Sequence, residues 1–311
     1  MKAYLVTGGA GFIGSHLAEE LARRGHKVRV LDNFLTGKRE NLDTFRDKIE
    51  LLEGDVRDLD ACRRAVQGMD FVLHQAALPS VESSIRDPFL TKAINVDGTL
   101  NVLWAAAEAK IQRLVFASST SVYGDDPGRS KKEDTIGNPL SPYALSKWIG
   151  EKFCRLFTRL YGLSTVSLRY FNVFGPRQDP LSQYAAVIPI FITKILNGKP
   201  PFIYGDGEQT RDFVYVSNVV AANLLAAEAK DVSGEVFNIA CAGSITIKDL
   251  VREINAILGT AVQPIHRDER RGDIRYSMAD LTKARTGLRY EPSENFYEGL
   301  KKTIAWYQKR M

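Results

Sequence analysis

The sequence has few of the residues that build metal centres or disulfide scaffolds. It contains three cysteines and four histidines in 311 residues. The cysteines are scattered in apolar surroundings without metal or redox spacing, and the histidines form no metal-binding motif. We therefore expect no metal site, and we expect buried thiols in a reducing cytoplasm. The residues concerned are Cys62, Cys154, Cys241, His16, His26, His74 and His266.

Long apolar runs are also missing. No stretch is long enough to span a bilayer, and the first residues lead directly into a strand pattern, so we expect no membrane partner and no signal peptide. The net charge is +5, and basic residues alternate with acidic ones, as in residues 131–134 (KKED) and 268–273 (DERRGD). This pattern is typical of a solvated surface, so we expect no nucleic-acid partner. A modest positive balance suits anionic small substrates.

The chain is long enough for a sizeable core, and 44% of its residues are hydrophobic. Strand and helix patterns alternate, which predicts an α/β fold: a doubly wound parallel sheet (Rossmann) with a smaller C-terminal substrate-binding domain. We expect the large domain at residues 1–171, with 214–241 returning to it, and the small domain at 172–213 and 242–311. The predicted strands are 3–7, 28–32, 49–53, 70–74, 113–118, 165–169 and 235–239, and the predicted helices include 14–24, 58–66, 91–109 and 142–161.

A glycine-rich turn follows the first predicted strand, in residues 7–14 (TGGAGFIG). Gly8, Gly11 and Gly14 permit a tight turn, close approach of the backbone to a pyrophosphate, and close packing of helix on strand. The pattern alone also fits an ordinary turn. The next strand, however, ends at Asp32, and an acid there can accept a hydrogen bond from a ribose 2′-hydroxyl and repel a 2′-phosphate. The combination predicts NAD rather than NADP.

Ser119, Tyr143 and Lys147 are the candidate catalytic residues. Tyr143 and Lys147 lie one helical turn apart, so they share a helix face, and Ser141 followed by Pro142 predicts the start of that helix. A lysine ammonium beside a phenol should lower the pKa of Tyr143 and make it a general base. Ser119 follows an apolar run that is typical of a buried strand. The spacing alone also fits a solvated helix face; the glycine turn and the serine favour catalysis.

Ten blocks of the sequence resemble extended short-chain dehydrogenases/reductases, and specifically nucleotide-sugar 4-epimerases. They are residues 7–14, 31–33 (LDN), 54–56 (GDV), 74–77 (HQAA), Asn95, 118–124 (SSTSVYG), 141–143 (SPY) with Lys147, 169–172 (RYFN), 205–212 (GDGEQTRD) and 270–273 (RRGD). Within the family, residues 137–143, 177–180 and 184–189 most resemble bacterial UDP-N-acetylglucosamine 4-epimerases of surface-polysaccharide synthesis.

The resemblance implies a role for each matching position. The pyrophosphate of NAD would lie on Gly8, Gly11, Phe12, Ile13 and Gly14, and its adenosine on Asp32, Asn33, Thr36, Gly37, Asp55 and Val56. The nicotinamide half would contact Ala76, Ala77, Asn95, Tyr143, Lys147 and Tyr170. The UDP-sugar would contact Ser80, Ser119, Ser121, Tyr143, Asn172, Ala186, Val187, Phe202, Tyr204, Arg211, Arg270, Asp273 and Ser277. Arginine suits the diphosphate because its planar fork pairs with phosphate oxygens.

The mechanism implied by the resemblance is redox-neutral. Tyr143, assisted by Ser119 and Lys147, removes the proton of the sugar 4-hydroxyl; hydride moves from carbon 4 to NAD and returns to the other face of a transient 4-keto sugar. Related 4,6-dehydratases and decarboxylases carry carboxyl groups where this chain has Thr120 and Ser121, so we rank those activities low. UDP-glucose and UDP-glucuronate 4-epimerases are the enzymatic alternatives. A non-catalytic NAD-sensing regulator is the alternative outside enzymes, although such regulators usually lose the Tyr–Lys pair.

Ser277 lies seven residues after Arg270, at the position that resembles the family's gate residue. A bulky tyrosine there limits relatives to UDP-glucose and UDP-galactose, and a small residue also admits 2-acetamido sugars. The alternative is an ordinary polar loop residue. Two predicted helices, 91–109 and 142–161, carry wide apolar faces. Relatives dimerise through such a pair, so we expect a homodimer, although the intrachain core must account for part of those faces.

Overall fold

A computed structural model describes residues 1–135, 137–180, 186–269 and 275–310. The strands are β1 Ala3–Thr7, β2 Lys27–Asp32, β3 Glu50–Glu53, β4 Phe71–His74, β5 Arg113–Ser119, β6 Ser130–Lys131, β7 Thr165–Tyr170, β8 Asn172–Phe174, β9 Phe202–Tyr204, β10 Thr210–Arg211, β11 Phe213–Tyr215, β12 Glu235–Ile239, β13 Ile245–Thr246, β14 Ile265–Arg267 and β15 Met278–Ala279. The α-helices are α1 Phe12–Arg23, α2 Leu59–Val66, α3 Val81–Arg86, α4 Pro88–Lys92, α5 Gly98–Glu108, α6 Pro142–Tyr161, α7 Val187–Leu196, α8 Val216–Glu228, α9 Ile247–Leu258, α10 Thr282–Leu288 and α11 Phe296–Gln308.

Seven parallel strands form the main sheet, in the order β12-β7-β5-β4-β1-β2-β3. The strand order reverses between β1 and β4, which both end at the same edge. Ligands of such folds bind outside the carboxyl ends of the strands at this switch point. The prediction of a doubly wound parallel sheet is confirmed, and each of the seven predicted strands has its counterpart in this sheet.

The two faces of the sheet bury different sets of side chains. Along β1, Tyr4 and Val6 pack in a core with α1 and α8, whereas Leu5 packs on the other face with α2, α5 and α6. This alternation follows from the two-residue repeat of a strand. Helices therefore cover both faces, as the parallel arrangement requires.

A third apolar core joins α7, α9 and α11 to β8 and β11, with Phe174 and Phe213 among its buried side chains. The predicted domain boundaries at residues 172, 214 and 242 stay a prediction. Strand β12, inside the segment 214–241, pairs with β7 at the sheet edge.

Helix α6 begins as the sequence indicates. The Ser141 hydroxyl oxygen accepts a hydrogen bond from Ala144 N at 3.1 Å, and Pro142 occupies the first helical position. The helix ends at Gly162, whose φ of +70° favours glycine. Tyr143 and Lys147 consequently lie in the first two turns, where the helix enters the carboxyl edge of the sheet. In the described ranges, no helix is long and apolar enough to cross a membrane.

Candidate active site

The turn between β1 and α1 brings backbone segments into close approach. Gly8 has a φ of +67°, and a Cβ placed there would lie 2.7 Å from Ala76 N. A Cβ at Gly14 would lie 2.1 Å from the Gly8 carbonyl oxygen. No side chain caps the first turn of α1. Its N–H groups and the positive end of the helix dipole suit a pyrophosphate, so the turn fits a dinucleotide. The predicted pyrophosphate residues occupy this turn and the helix start: Gly8, Gly11, Phe12, Ile13 and Gly14.

Asp32 ends β2 beside this turn. Its carboxylate accepts hydrogen bonds from Ala10 N and Phe34 N, both at 2.8 Å, and burial raises its pKa against the effect of these bonds. The next side chain, Asn33, donates to Asp55 at 2.7 Å. Arg57 forms a further ion pair with Asp55 and lowers the pKa of that carboxyl to about 2. The remaining predicted adenosine residues belong to the same region: exposed Thr36, Gly37 against Asp32, and buried Val56.

The three candidate catalytic side chains converge where β5 and α6 meet. Tyr143 forms a side-chain hydrogen bond with Ser119. The Ser119 oxygen also accepts hydrogen bonds from Ser121 N at 3.1 Å and Ser121 Oγ at 3.0 Å. Lys147 Nζ donates to the Ala117 carbonyl oxygen at 2.8 Å and lies 6.0 Å from the Tyr143 ring centroid. The arrangement can pass a proton between a substrate hydroxyl and the phenol.

The expected lowering of the Tyr143 pKa is wrong. Burial raises the pKa of Tyr143, and the hydrogen bond with Ser119 opposes that rise. Burial also lowers the pKa of Lys147, to about 8. The lysine is directed to a backbone carbonyl of β5, so its charge does not offset the desolvation of the phenol. The sequence spacing predicts that Tyr143 and Lys147 share a helix face, but it does not predict the hydrogen bond from Lys147 to the Ala117 carbonyl.

The predicted nicotinamide residues take part in two buried networks. Asn95, in a π-helical turn between α4 and α5, uses its whole amide: it accepts from Leu78 N at 2.7 Å and donates to Leu78 O and to Ser146 Oγ. The Tyr170 hydroxyl accepts from the Asn223 amide nitrogen at 2.8 Å, and its own proton can be donated to Gln75 Oε1 or to Asn223 Oδ1. Ala76 and Ala77 lie half-buried in the segment after β4. Asn95 thus ties that segment to α6 directly beside Tyr143.

A cavity of about 660 Å³ is bordered by the segment after β4 and by β8, and its described lining includes none of Ser119, Ser121 and Tyr143. It is lined by seven of the predicted UDP-sugar residues: Ser80, Asn172, Ala186, Val187, Phe202, Tyr204 and Arg211. Among the lining residues that the structure describes, Lys194 and Arg211 carry positive charge and Glu82 carries negative charge. Two cationic side chains pack on the Phe202 ring: Lys194 Nζ lies 3.7 Å and Arg267 Cζ lies 3.5 Å from the ring centroid. A diphosphate matches the positive charge of this cavity.

Ser277 is buried, with 8% of its surface exposed, and it is not among the described residues that line the cavity. The strand that follows it, β15, is connected to Asp212, the residue after the cavity-lining Arg211. The Asp212 carboxylate accepts from Ala279 N at 3.1 Å and from Cys241 N at 3.0 Å. Burial raises the pKa of Asp212 to about 6 in spite of these bonds. The two other predicted substrate residues, Arg270 and Asp273, lie outside the described residues.

Sequence reasoning missed the part that His74 plays at this centre. Its Nδ1 lies 2.7 Å from Thr7 Oγ1 and its Nε2 lies 3.0 Å from Thr99 Oγ1. Burial, with a smaller effect of the Lys147 ammonium, lowers the pKa of His74 to about 3, so the ring is neutral. It joins Thr7, at the start of the glycine turn, to α5, which directly follows the π-helical turn that carries Asn95. Its position at the end of β4, beside the switch point, is the signal that could have indicated this link.

The sequence matches the NAD dependent epimerase/dehydratase family over residues 4–240. It is 36% identical over 310 residues to the UDP-glucose 4-epimerase of Mycolicibacterium smegmatis, with 98% of each chain covered. The structure is similar to that of UDP-N-acetylglucosamine 4-epimerase from Methanobrevibacter ruminantium in complex with UDP-N-acetylmuramic acid, with a TM-score of 0.95, 42% identity, and 100% and 99% of the two chains covered. It is also similar to UDP-glucose 4-epimerase from Thermotoga maritima with UDP-glucose, with a TM-score of 0.94, 38% identity and 99% of each chain covered.

Proposed function

Because this chain belongs to the NAD dependent epimerase/dehydratase family, we propose that it interconverts UDP-N-acetylglucosamine and UDP-N-acetylgalactosamine. It is a nucleotide-sugar 4-epimerase that uses NAD. The substrate rests on one observation: a serine, Ser277, occupies the position that resembles the gate, and it is buried. Two residues later, the Ala279 N–H donates to Asp212, which follows Arg211. A small side chain leaves volume for an acetamido group, whereas a phenol would overlap it. The 42% identity to a UDP-N-acetylglucosamine 4-epimerase supports this choice.

The first alternative, a UDP-glucose 4-epimerase, differs only in the group at carbon 2. A site that admits the acetamido group can also accept the smaller hydroxyl, so we expect UDP-glucose to be a secondary substrate. The second alternative, a uronic acid substrate, would bring an extra carboxylate into the cavity. Glu82 lies in the cavity wall, and like charges repel. Its charge disfavours UDP-glucuronate.

Tyr143 acts as the base that takes the proton of the sugar 4-hydroxyl. Ser119 bonds to both the phenol and Ser121, so it can pass a proton between hydroxyl groups and hold the 4-oxygen in place. Lys147 carries the positive charge that stabilises the phenolate when the substrate displaces water. NAD, when bound, would supply the reversible hydride chemistry at carbon 4. Gly8, Gly11, Gly14 and Asp32 would hold it, and the side chains of the 660 Å³ cavity would hold UDP.

We assign the two ligands to the two predicted domains. Residues 1–171 and 214–241 would bind NAD, and residues 172–213 and 242–311 would bind the UDP-sugar. We place the protein in the cytoplasm, in the synthesis of surface polysaccharide. Buried Cys62 and Cys154 suit a reducing compartment.

We also propose a homodimer through α5 and α6. A second apolar cavity of about 460 Å³ opens on these helices, and Trp104, Phe153 and Leu160 line it. Leu160 and Leu156 are 68% and 43% exposed, which is unusual for apolar side chains on neighbouring turns of one helix. A second copy of the same face would bury them. Light scattering should give twice the chain mass, and Leu160→Glu should give the single mass; a monomeric parent protein refutes this proposal.

The proposed activity is tested by incubating pure protein with four UDP-sugars and identifying products by NMR. The four are UDP-N-acetylglucosamine, UDP-glucose and their uronic acids. We expect UDP-N-acetylgalactosamine to form fastest, UDP-galactose more slowly, and the uronic acids to react least. Conversion of UDP-glucuronate alone would refute the proposal.

A further inference from the structure

A buried ion pair lies directly behind the candidate catalytic residues. Glu151 and Arg169 form a bidentate pair, with Nε–Oε1 and Nη2–Oε2 distances of 2.8 Å. The side chains are 4% and 1% exposed. The hydroxyl of Ser118, which is also buried, donates to Glu151 Oε1. All three groups have hydrogen-bond partners, so the cluster carries no unpaired charge.

These three residues connect the elements that carry the reaction. Glu151 lies on α6, two turns after Tyr143 and one turn after Lys147. Ser118 precedes Ser119 on β5, and in the β5–β7 register Ser118 pairs with Arg169. Helix α6 is therefore joined to β5 at two successive residues, through Lys147 to the Ala117 carbonyl and through Glu151 to Ser118.

The guanidinium group also fixes the segment that leads from Ser119 to Tyr143. Its Nη1 donates to the Glu133 carbonyl oxygen at 3.1 Å, and Cζ lies 4.8 Å from the Tyr123 ring centroid. Tyr123 and Glu133 both bond to Asn238, through the phenol at 2.6 Å and a carboxylate at 2.8 Å. Arg169 thus bonds to α6 through Glu151 and to the segment between Ser119 and Tyr143 through the Glu133 carbonyl.

Stability alone does not explain such a pair. Desolvating two charges costs free energy, and replacing a buried ion pair by apolar residues is often neutral or stabilising. What a bidentate Arg–carboxylate pair supplies is fixed geometry. A displacement of about 1 Å at a reacting centre can reduce the rate by about 100-fold. We propose that Glu151, Arg169 and Ser118 are positioning residues that set the placement of Ser119 relative to Tyr143. This inference rests on the proposed function.

Ser118→Ala is the diagnostic variant, because it removes one hydroxyl and leaves the ion pair intact. Ser167→Ala is its control. Ser167 is a buried serine of the same sheet that also bonds to α6, through Cys154, but it lies on β7 opposite Phe116, away from the reacting end. We expect kcat to fall about tenfold in Ser118→Ala, with KM unchanged, and to change less than about twofold in Ser167→Ala. The apolar pair Glu151→Leu/Arg169→Met should keep the melting temperature but lose about 100-fold in kcat.

The pKa of Tyr143 supplies a readout that needs no substrate. NMR of protein labelled with ¹³Cζ-tyrosine, with its cofactor bound, follows the phenol directly. Loss of the Ser119 hydrogen bond should shift that pKa upward by about half a unit or more in Ser118→Ala and leave it unshifted in Ser167→Ala. Equal effects of the two serine variants on kcat and pKa, or full kcat in the apolar pair, overturn the positioning role. A parent protein inactive on every UDP-sugar overturns the proposed function instead, and the tyrosine titration still decides this inference.

Discussion

Lys147 and Tyr143 share a face of α6, yet the lysine donates its hydrogen bond to the Ala117 carbonyl oxygen and lies 6.0 Å from the phenol ring centroid. The two candidate catalytic groups are each desolvated, and the pKa of each moves away from the value that favours its charge. Burial therefore favours the neutral phenol. We propose that a sugar hydroxyl joined to Ser119 and Tyr143 in one hydrogen-bond chain would complete the base.

Tyr143→Phe should remove the base and leave cofactor binding in place, since the glycine turn and Asp32 lie elsewhere. We expect kcat to fall by about 100-fold to 10,000-fold, in keeping with the loss of a general base. The measurement is the rate of epimerisation, together with the NAD content of the purified variant. Near-normal turnover in this variant would remove Tyr143 from the mechanism.

Lys147 gives the stability of the cofactor-free protein a characteristic pH dependence. Its pKa is lowered to about 8, against about 10.4 in an unfolded chain. Between those values the unfolded chain binds a proton that the folded protein does not, so the free energy of unfolding rises with pH, by about 3 kcal/mol in all. Lys147→Met lacks this group and should lack this rise.

Urea unfolding at pH 7, 8.5 and 10 tests this, because other titrations cancel in the difference between the two proteins. The free energy of unfolding of the parent protein, relative to that of the variant, should increase as the pH increases. A difference that stays constant across this range would show that Lys147 is not desolvated as described.

Asp32 should make the protein discriminate against NADP, because its buried carboxylate would lie beside the 2′-phosphate. We expect NAD to bind at least about 10 times more tightly than NADP, and Asp32→Asn to narrow that ratio. Calorimetric titration of the cofactor-free parent protein and of the variant with NAD and with NADP measures these affinities. Glu53→Gln is the matched control, since Glu53 pairs with Asp32 in the β2–β3 register but is exposed and bonded to Arg39. Preference for NADP in the parent protein contradicts the NAD assignment of this strand end.

Ser277→Tyr should close the site to acetamido sugars. If Ser277 is the gate, a phenol ring in the space of its hydroxyl would overlap the acetamido group. We then expect activity on UDP-N-acetylglucosamine to fall by about 100-fold or more while UDP-glucose activity is reduced far less. Ser277→Ala adds no volume, so it is the control and should keep both activities. If the tyrosine variant treats both sugars as the parent does, Ser277 is not the gate.

The sequence predicts those features that depend on local pattern. The β1–α1 turn follows from its glycines, α6 from Ser141 and Pro142, and the sheet from alternation of apolar strands and helices. Distant contacts and desolvation have no local pattern. Burial decides the sign of the pKa shifts of Tyr143 and Lys147. The pair Glu151–Arg169 joins α6 to β7, and sequence spacing does not show that contact. Spacing alone could have drawn attention to Glu151, which is eight residues after Tyr143 on the same helix face.

The measurement that tests the account most directly uses UDP-N-acetylglucosamine carrying deuterium at carbon 4 of the sugar, with no cofactor added. In the proposed mechanism hydride leaves carbon 4 and returns to it within one site. We therefore expect UDP-N-acetylgalactosamine that keeps its deuterium, formed more slowly than from the unlabelled sugar. Loss of deuterium to water, or recovery of unchanged UDP-N-acetylglucosamine from a preparation that epimerises UDP-glucose, would contradict it.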